Sequence, residues 1–330
     1  MKKRADGRYE RVVTVDGKRK TFYGDTIKEV NRKIFLYKED IGKGYRFKTV
    51  AWAWRESHMD KLSYGSQRAY NKPFSRIVER FGEEYINKIS YKEVQSFFAN
   101  LGMSFKSATL HKTVLSQIFN YAIIELNMDI LNPCDRIKLD SRLPKSHRMS
   151  ATPEQEKAIL ETTADELLIA PIIYYTGLRC GEVLGLRYGD VDYEKDVINV
   201  KQAVVHHGNK PVISAPKTAN AVRTVPLLPQ LRALIGQGNP THYIVGGEKP
   251  LTKSALDKRW KRWEKDHGVK IDRHSIRHTY ATKLYEAGVG IKSAQALLGH
   301  ADAQTTLNIY THLNQSHISE AAEKLVEVFK

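Results

Sequence analysis

TGLRCGEVLGLR, Thr176–Arg187, is the stretch from which the rest of the chain can be read. Gly177 permits a sharp backbone turn. Arg179 then starts a helix, and Glu182 follows one turn later on the same face. An arginine at such a start points its planar fork outwards, with the positive end of the helix dipole behind it. That is a good place for an oxyanion. Taken alone, the pattern equally fits an Arg–Glu pair on a surface.

Four further groups lie downstream. HSIRH, His274–His278, puts His274 and Arg277 on one helical face. His274 and His278 have the spacing of zinc ligands, but the metalloprotease pattern needs Glu after the first His. Here that residue is Ser275, and no third ligand stands nearby. LLGHADAQTT, Leu297–Thr306, places His300 just beyond a helix end at Gly299. LNIYTHL carries Tyr310, which by itself reads as an ordinary core or surface tyrosine. APKTANAVRTVPL, Ala215–Leu227, carries Lys217 in a turn between β stretches, where a lysine is ordinarily just solvated.

Order changes the reading. Arg179, Lys217, His274 with Arg277, His300 and Tyr310, in this sequence and spacing, resemble the tyrosine recombinase (phage integrase) family over residues 150–330. The flanking TGLR..E, H..RH and LLGH motifs match as well, and one small departure is Tyr188, where the family often has Trp. The resemblance implies transesterification on double-stranded DNA. Tyr310 attacks a phosphorus, a 3′-phosphotyrosine forms, and a 5′-hydroxyl from a partner strand reverses the step. Bond energy stays in the phosphotyrosine, so no ATP, cofactor or metal is implied.

Each implied role has a physical demand behind it. A phenol with a pKa of about 10 is almost wholly protonated at neutral pH, so something must favour loss of its proton. His274 or His300 could contribute. Charge gathers on the non-bridging oxygens in the transition state, and Arg179 and Arg277 can meet it as bidentate clamps. The 5′-oxygen is a poor leaving group, and Lys217 would be its general acid. Glu182 would orient Arg179.

Outward from this segment, TPEQ at Thr152–Gln155 opens its first helix, with Thr152 as cap and Pro153 at the first position. Helices are expected to about Arg187, then a β region including Val197–Val200 and Arg223–Leu227, then helices again to Lys330. Asp140–Ser150 reads as a linker around Pro144. From Phe47 to Leu139 the pattern is helical, with a capping box at Ser90–Glu93. The helix ahead of Asn127 carries a packing stripe at Leu110, Val114, Ile118 and Ala122. Gly42-Lys43-Gly44 marks another linker. Residues 1–40 read as three short strands and a helix. Ala5–Gly7 and Asp16–Gly17 are turn signals between and before Arg8–Val15 and Lys18–Tyr23. The helix runs from about Thr26 to Lys38, with Ile27, Val30, Ile34 and Tyr37 on one face.

The fold class expected is multidomain and mainly α with small β elements. An arm-type DNA-binding domain would occupy 1–45, a helical core-binding domain 47–140, and a mixed α+β catalytic domain 150–330. The first two assignments resemble the family by pattern only. After Tyr310, Ile318, Ala321, Ala322, Leu325, Val326 and Phe329 form a helical apolar stripe that must be buried. The resemblance implies docking on a neighbouring protomer in a homotetramer on DNA; docking in cis is the alternative. A host DNA-bending protein and a directionality factor are candidate helpers.

Bulk properties agree. The net charge is +16, and about half of that excess lies in the first 48 residues, which favours a polyanionic partner. Two cysteines, Cys134 and Cys180, give no disulfide framework and fit a reducing cytoplasm. The basic start is followed by polar residues and does not read as a signal peptide. No run is long enough for a membrane span. The rival readings are a chromosome-dimer recombinase or type IB topoisomerase on the same catalytic fold, a non-catalytic DNA-binding regulator, and a zinc hydrolase. The basic unit before residue 45 favours the integrase, retention of Tyr310, Arg179 and Arg277 speaks against the regulator, and Ser275 against the hydrolase.

Overall fold

The computed structural model describes residues 1–15, 18–39, 45–145, 149–214 and 222–300, with Gln304, Thr306, Leu307 and Tyr310. The chain divides into two units, Met1–Ser146 and His147–Lys330. It is mainly α with small antiparallel sheets.

The first unit opens with a sheet of order β1 (Lys2–Lys3), β2 (Tyr9–Val15) and β3 (Lys18–Gly24). Gly7, at φ +84°, makes the first expected turn. Val15 pairs with Lys18, while Asp16 and Gly17 lie outside the described residues. Helix α1 (Ile27–Glu39) packs Val30 and Ile34 on Phe22, with Tyr9, Val13 and Tyr37 around them. Ile27, expected on that face, is exposed instead. Among the described side chains, Val30, Ile34 and Tyr37 take up the inward apolar residues Tyr9, Val13 and Phe22 of this small sheet.

A separate core follows in the same unit. It is built by α2 (Phe47–His58), α3 (Tyr64–Phe81), α4 (Tyr91–Ala99) and α5 (Phe105–Ile124) around Phe47, Trp54, Phe81 and Phe119. Ser63, Ser90 and Ser104 cap α3, α4 and α5. The expected box forms at Ser90: its amide donates to Glu93 Oε2 at 2.7 Å, and the Glu93 amide donates to Ser90 Oγ at 3.3 Å. On α5, Val114, Ile118 and Ala122 are fully buried, but Leu110 is only half-buried. His111 takes the inner place, its Nδ1 2.8 Å from the Ser107 carbonyl. The helix expected ahead of Asn127 ends at Ile124, but residues 128–139, helical by pattern, hold no helix. Asn127 takes positive φ (50°), and Pro133 follows. Neither continues a helix. The Asn132 amide instead bonds Ser116 and Asn120, and the irregular chain delivers Cys134 and Ile137 into the core.

The second unit holds α6 (Pro153–Leu160), α7 (Ile169–Thr176) and α8 (Cys180–Gly185), then β4 (Val191–Asp192), β5 (Val197–Val200), β6 (Ala203–His207), β7 (Lys210–Ser214) and β8 (Arg223–Pro226). Helices α9 (Pro229–Ile235), α10 (Lys253–Asp266), α11 (Arg273–Glu286) and α12 (Ile291–Leu298) follow. Strands pair in the order β4-β5-β8, and β6-β7 form a hairpin. Thr152 caps α6 with Gln155 closing back on its amide at 2.9 Å, and Pro153 opens the helix, as the sequence predicts. Helix α7 is apolar all round, so it lies at the centre, with Ile169, Ile172 and Ile173 fully buried. Burial of each such side chain contributes about 1.5–3 kcal/mol. Helix α11 packs against α7, which fixes where the HSIRH and TGLR segments meet. No helix among the described residues is long and apolar enough to cross a membrane.

Candidate active site

Helix α7 ends because Gly177 turns the chain into left-handed backbone at φ 65°. Any larger residue would also collide with Tyr280, whose ring carbon would sit 2.2 Å from a Cβ. The turn buries Leu178 and leaves Arg179 as the N-cap of α8. Its amide donates to Glu182 Oε2 at 2.9 Å, one half of a capping box. A guanidinium has no acceptor with which to complete the other half. It donates to the same carboxylate instead, Nη1 to Oε1 at 2.8 Å.

The second wall is the C-terminus of α12, whose last carbonyls have no intrahelical partner and carry the negative end of the helix dipole. Gly299, at φ 62°, caps it. The amides of Gly299 and His300 close back on Ala296 and Gln295. Three successive carbonyls are left, and each accepts from a different arginine. Arg223 Nε donates to Leu297 at 2.8 Å, Arg277 Nη2 to Leu298 at 2.7 Å, and Arg179 Nη2 to Gly299 at 2.8 Å. Arg277 Nη1 also donates to the Gly177 carbonyl at 2.5 Å. The two turn glycines thus each orient an arginine from a different motif: Gly177 of TGLR holds Arg277 of HSIRH, and Gly299 of LLGH holds Arg179 of TGLR. Arg223 completes the set with Nη1 and Nη2 on the two oxygens of Glu182, at 3.2 and 2.9 Å.

Electrostatics follow from this packing. Burial alone would raise the Glu182 carboxyl, but the hydrogen bonds and charges of Arg223 and Arg179 outweigh it and hold the group below its usual range. Arg277 is 8% exposed. Burial first, then the charge of Arg179, pull its guanidinium down to about 9, which leaves it protonated at neutral pH. His300 is brought to about 4 by burial and by Arg277, Arg179 and Arg223, so its imidazole is neutral there. Its Nδ1 is 2.8 Å from Thr306 Oγ1. Among the described residues, three guanidiniums face one carboxylate here, which leaves net positive charge around a neutral imidazole, as an anion site requires.

The other expected residues are placed less closely. Tyr310 is buried, its ring edge-on to Tyr285 with centroids 5.0 Å apart. Its hydroxyl donates to the Val289 carbonyl at 3.0 Å, and burial pushes the phenol up. His274 is exposed in the first turn of α11, one turn before Arg277. His278 places Nδ1 3.2 Å from Ser150 Oγ. Lys217 lies outside the described residues, between the end of β7 and the start of β8.

Arg223, within APKTANAVRTVPL, belongs to this cluster although the motifs do not name it. A signal was there: strand alternation sets Arg223 on the same face as the buried Val225. A charge facing inwards needs a partner.

Residues 150–317, half of the chain, match the profile of the phage integrase family. The chain belongs to that family. It is a tyrosine recombinase of the integrase type, an enzyme of site-specific DNA recombination. Among its relatives is a XerC-like tyrosine recombinase of Caldanaerobacter subterraneus subsp. tengcongensis, 29% identical, covering 94% of this chain and 92% of the relative. The ICEBs1 integrase of Bacillus subtilis is also 29% identical, over 76% of this chain and 74% of its own. The fold is similar to that of the Tn1549 transposon integrase, solved in complex with a circular intermediate DNA. That likeness has a TM-score of 0.67 at 22% identity, over 84% of this chain and 99% of the other.

Proposed function

We propose that this recombinase cleaves and rejoins double-stranded DNA through a 3′-phosphotyrosine on Tyr310, integrating and excising a phage or other mobile element. The observation that carries the reading is the convergence of Arg179 and Arg277 on the end of α12, beside a neutral His300. Both guanidiniums are oriented by backbone carbonyls before any substrate arrives. Their charge can then meet the non-bridging oxygens without reorganisation, an effect worth about 3–4 kcal/mol per donor. The neutral imidazole can share a proton with a phosphate oxygen or with the phenol, and His274 flanks Arg277 for the same purpose. Tyr310 must break its bond to Val289 before it attacks, so activation includes release of this side chain.

The first 45 residues serve as an arm-type DNA-binding unit. Strand register puts Lys2, Val12, Arg19 and Tyr23 on the sheet face away from α1, open to a groove. The helical segment 47–140 binds the core site, and 150–330 carries the chemistry. On DNA the enzyme works as a homotetramer, with a host bending protein and a directionality factor as helpers, in the cytoplasm. The apolar stripe after Tyr310, which lies outside the described residues, links its subunits.

Lys217 donates the proton to the departing 5′-oxygen. Lys217→Ala is expected to slow cleavage of an ordinary nicked substrate about a hundredfold or more. A 5′-bridging phosphorothiolate releases a thiolate that needs no proton, and restores most of the rate. Unchanged slowness on the sulfur substrate, in a single-turnover assay, would assign Lys217 to binding or structure instead.

A further inference from the structure

The inference drawn here rests on the reading of Arg179 and Arg277 as a phosphate clamp. We propose that Arg223 is the positioning residue of that clamp, locking Glu182 and the C-terminal turn of α12 into one register. Its side chain is only 6% exposed, so it acts through its neighbours and does not touch DNA. Nη1 and Nη2 donate to the two oxygens of Glu182, and Nε donates to the Leu297 carbonyl.

Those two partners belong to different elements. Glu182 holds the amide and the guanidinium of Arg179. Leu297 is followed directly by Leu298 and Gly299, the acceptors of Arg277 and Arg179, and then by His300. A shift of either element against the other would move one guanidinium relative to the other, and His300 with them. Arg223, from β8, bridges the two. Its fit also explains the glycine of LLGH beyond its backbone angle: a Cβ at position 299 would lie 2.7 Å from Arg223 Nη1 and 2.8 Å from Cζ.

A lysine keeps the charge but cannot reproduce the planar fork, so it cannot hold both oxygens and the carbonyl together. Arg223→Lys therefore tests geometry while the buried carboxylate keeps a counter-charge, and Arg223→Gln is a second, uncharged variant. Single-turnover strand cleavage is measured for both, and for Arg179→Ala, on nicked substrates carrying either a phosphate or a neutral methylphosphonate at the scissile position. The methyl group removes the charge that the clamp meets.

On phosphate, Arg223→Lys is expected to lose about ten- to a hundredfold with DNA affinity unchanged. On methylphosphonate, its rate returns to within about threefold of the unaltered protein, and Arg179→Ala recovers in the same way. Comparing two substrates on one protein preparation removes any loss through misfolding. Equal loss on both substrates for the Arg223 variants, with Arg179→Ala recovered, overturns the positioning role and leaves the clamp standing. An Arg223→Lys protein with full activity on phosphate overturns it too. Arg179→Ala equally slow on both substrates overturns the clamp, and the inference with it.

Discussion

Tyr310→Phe protein will bind its DNA and leave it uncut. The ring keeps its edge contact with Tyr285, so the packing around position 310 survives. The loss is one hydroxyl, with its hydrogen bond to the Val289 carbonyl. Leaving that carbonyl unpaired costs about 1–3 kcal/mol, too little to unfold a domain. Chemically the change is total, because phenylalanine has no oxygen with which to attack phosphorus. A gel shift should show normal binding, and a nicked suicide substrate on a denaturing gel should show no protein–DNA band. A covalent band from the Phe variant would mean that another residue is the nucleophile.

Glu182→Gln will fail in a different way, losing stability and rate together. The side chains of Glu182 and Arg223 are 7% and 6% exposed and form a buried pair. Gln removes the negative charge that faces Arg179 and Arg223, and turns an amide donor towards guanidinium donors. Removing one partner of a buried pair costs about 3–5 kcal/mol. In a unit of this size that is a fall in Tm of about 6–20 °C, read by calorimetry. Arg179, no longer held at both amide and guanidinium, loses its orientation, and cleavage at a permissive temperature should drop about a hundred- to a thousandfold. A Tm within two degrees of the parent, or unimpaired cleavage, would show that the Glu182 carboxylate neither holds the fold nor orients Arg179.

Local rules carried much of the fold. Ser90 and Thr152 announce their helices because a cap and its third residue are adjacent in sequence, and Gly177 and Gly299 announce theirs by tolerating left-handed backbone. Residues 128–139 misled, since their apolar side chains fit a helix and the contrary signal, Pro133, acts on the backbone. Ile27 misled for another reason: periodicity gives a face but not how much of it the partner sheet can cover. In the site, Arg179, Arg277 and His300 were legible through motif order. Arg223 was not. Its role depends on Glu182 and Leu297, far away on either side in the chain, and only folding brings them to one guanidinium. The resting place of Tyr310 against Val289 is likewise a tertiary fact with no local signal.

The most direct test of the account is to identify the residue that becomes joined to DNA. Unaltered protein is trapped on a nicked suicide substrate and digested with protease and nuclease, and the nucleotide-bearing peptide is sequenced by mass spectrometry. The account predicts a single modified peptide, spanning LNIYTHL, with the 3′-phosphate of the cleaved strand on Tyr310. An adduct on any other residue, or cleavage that leaves no adduct, would contradict it.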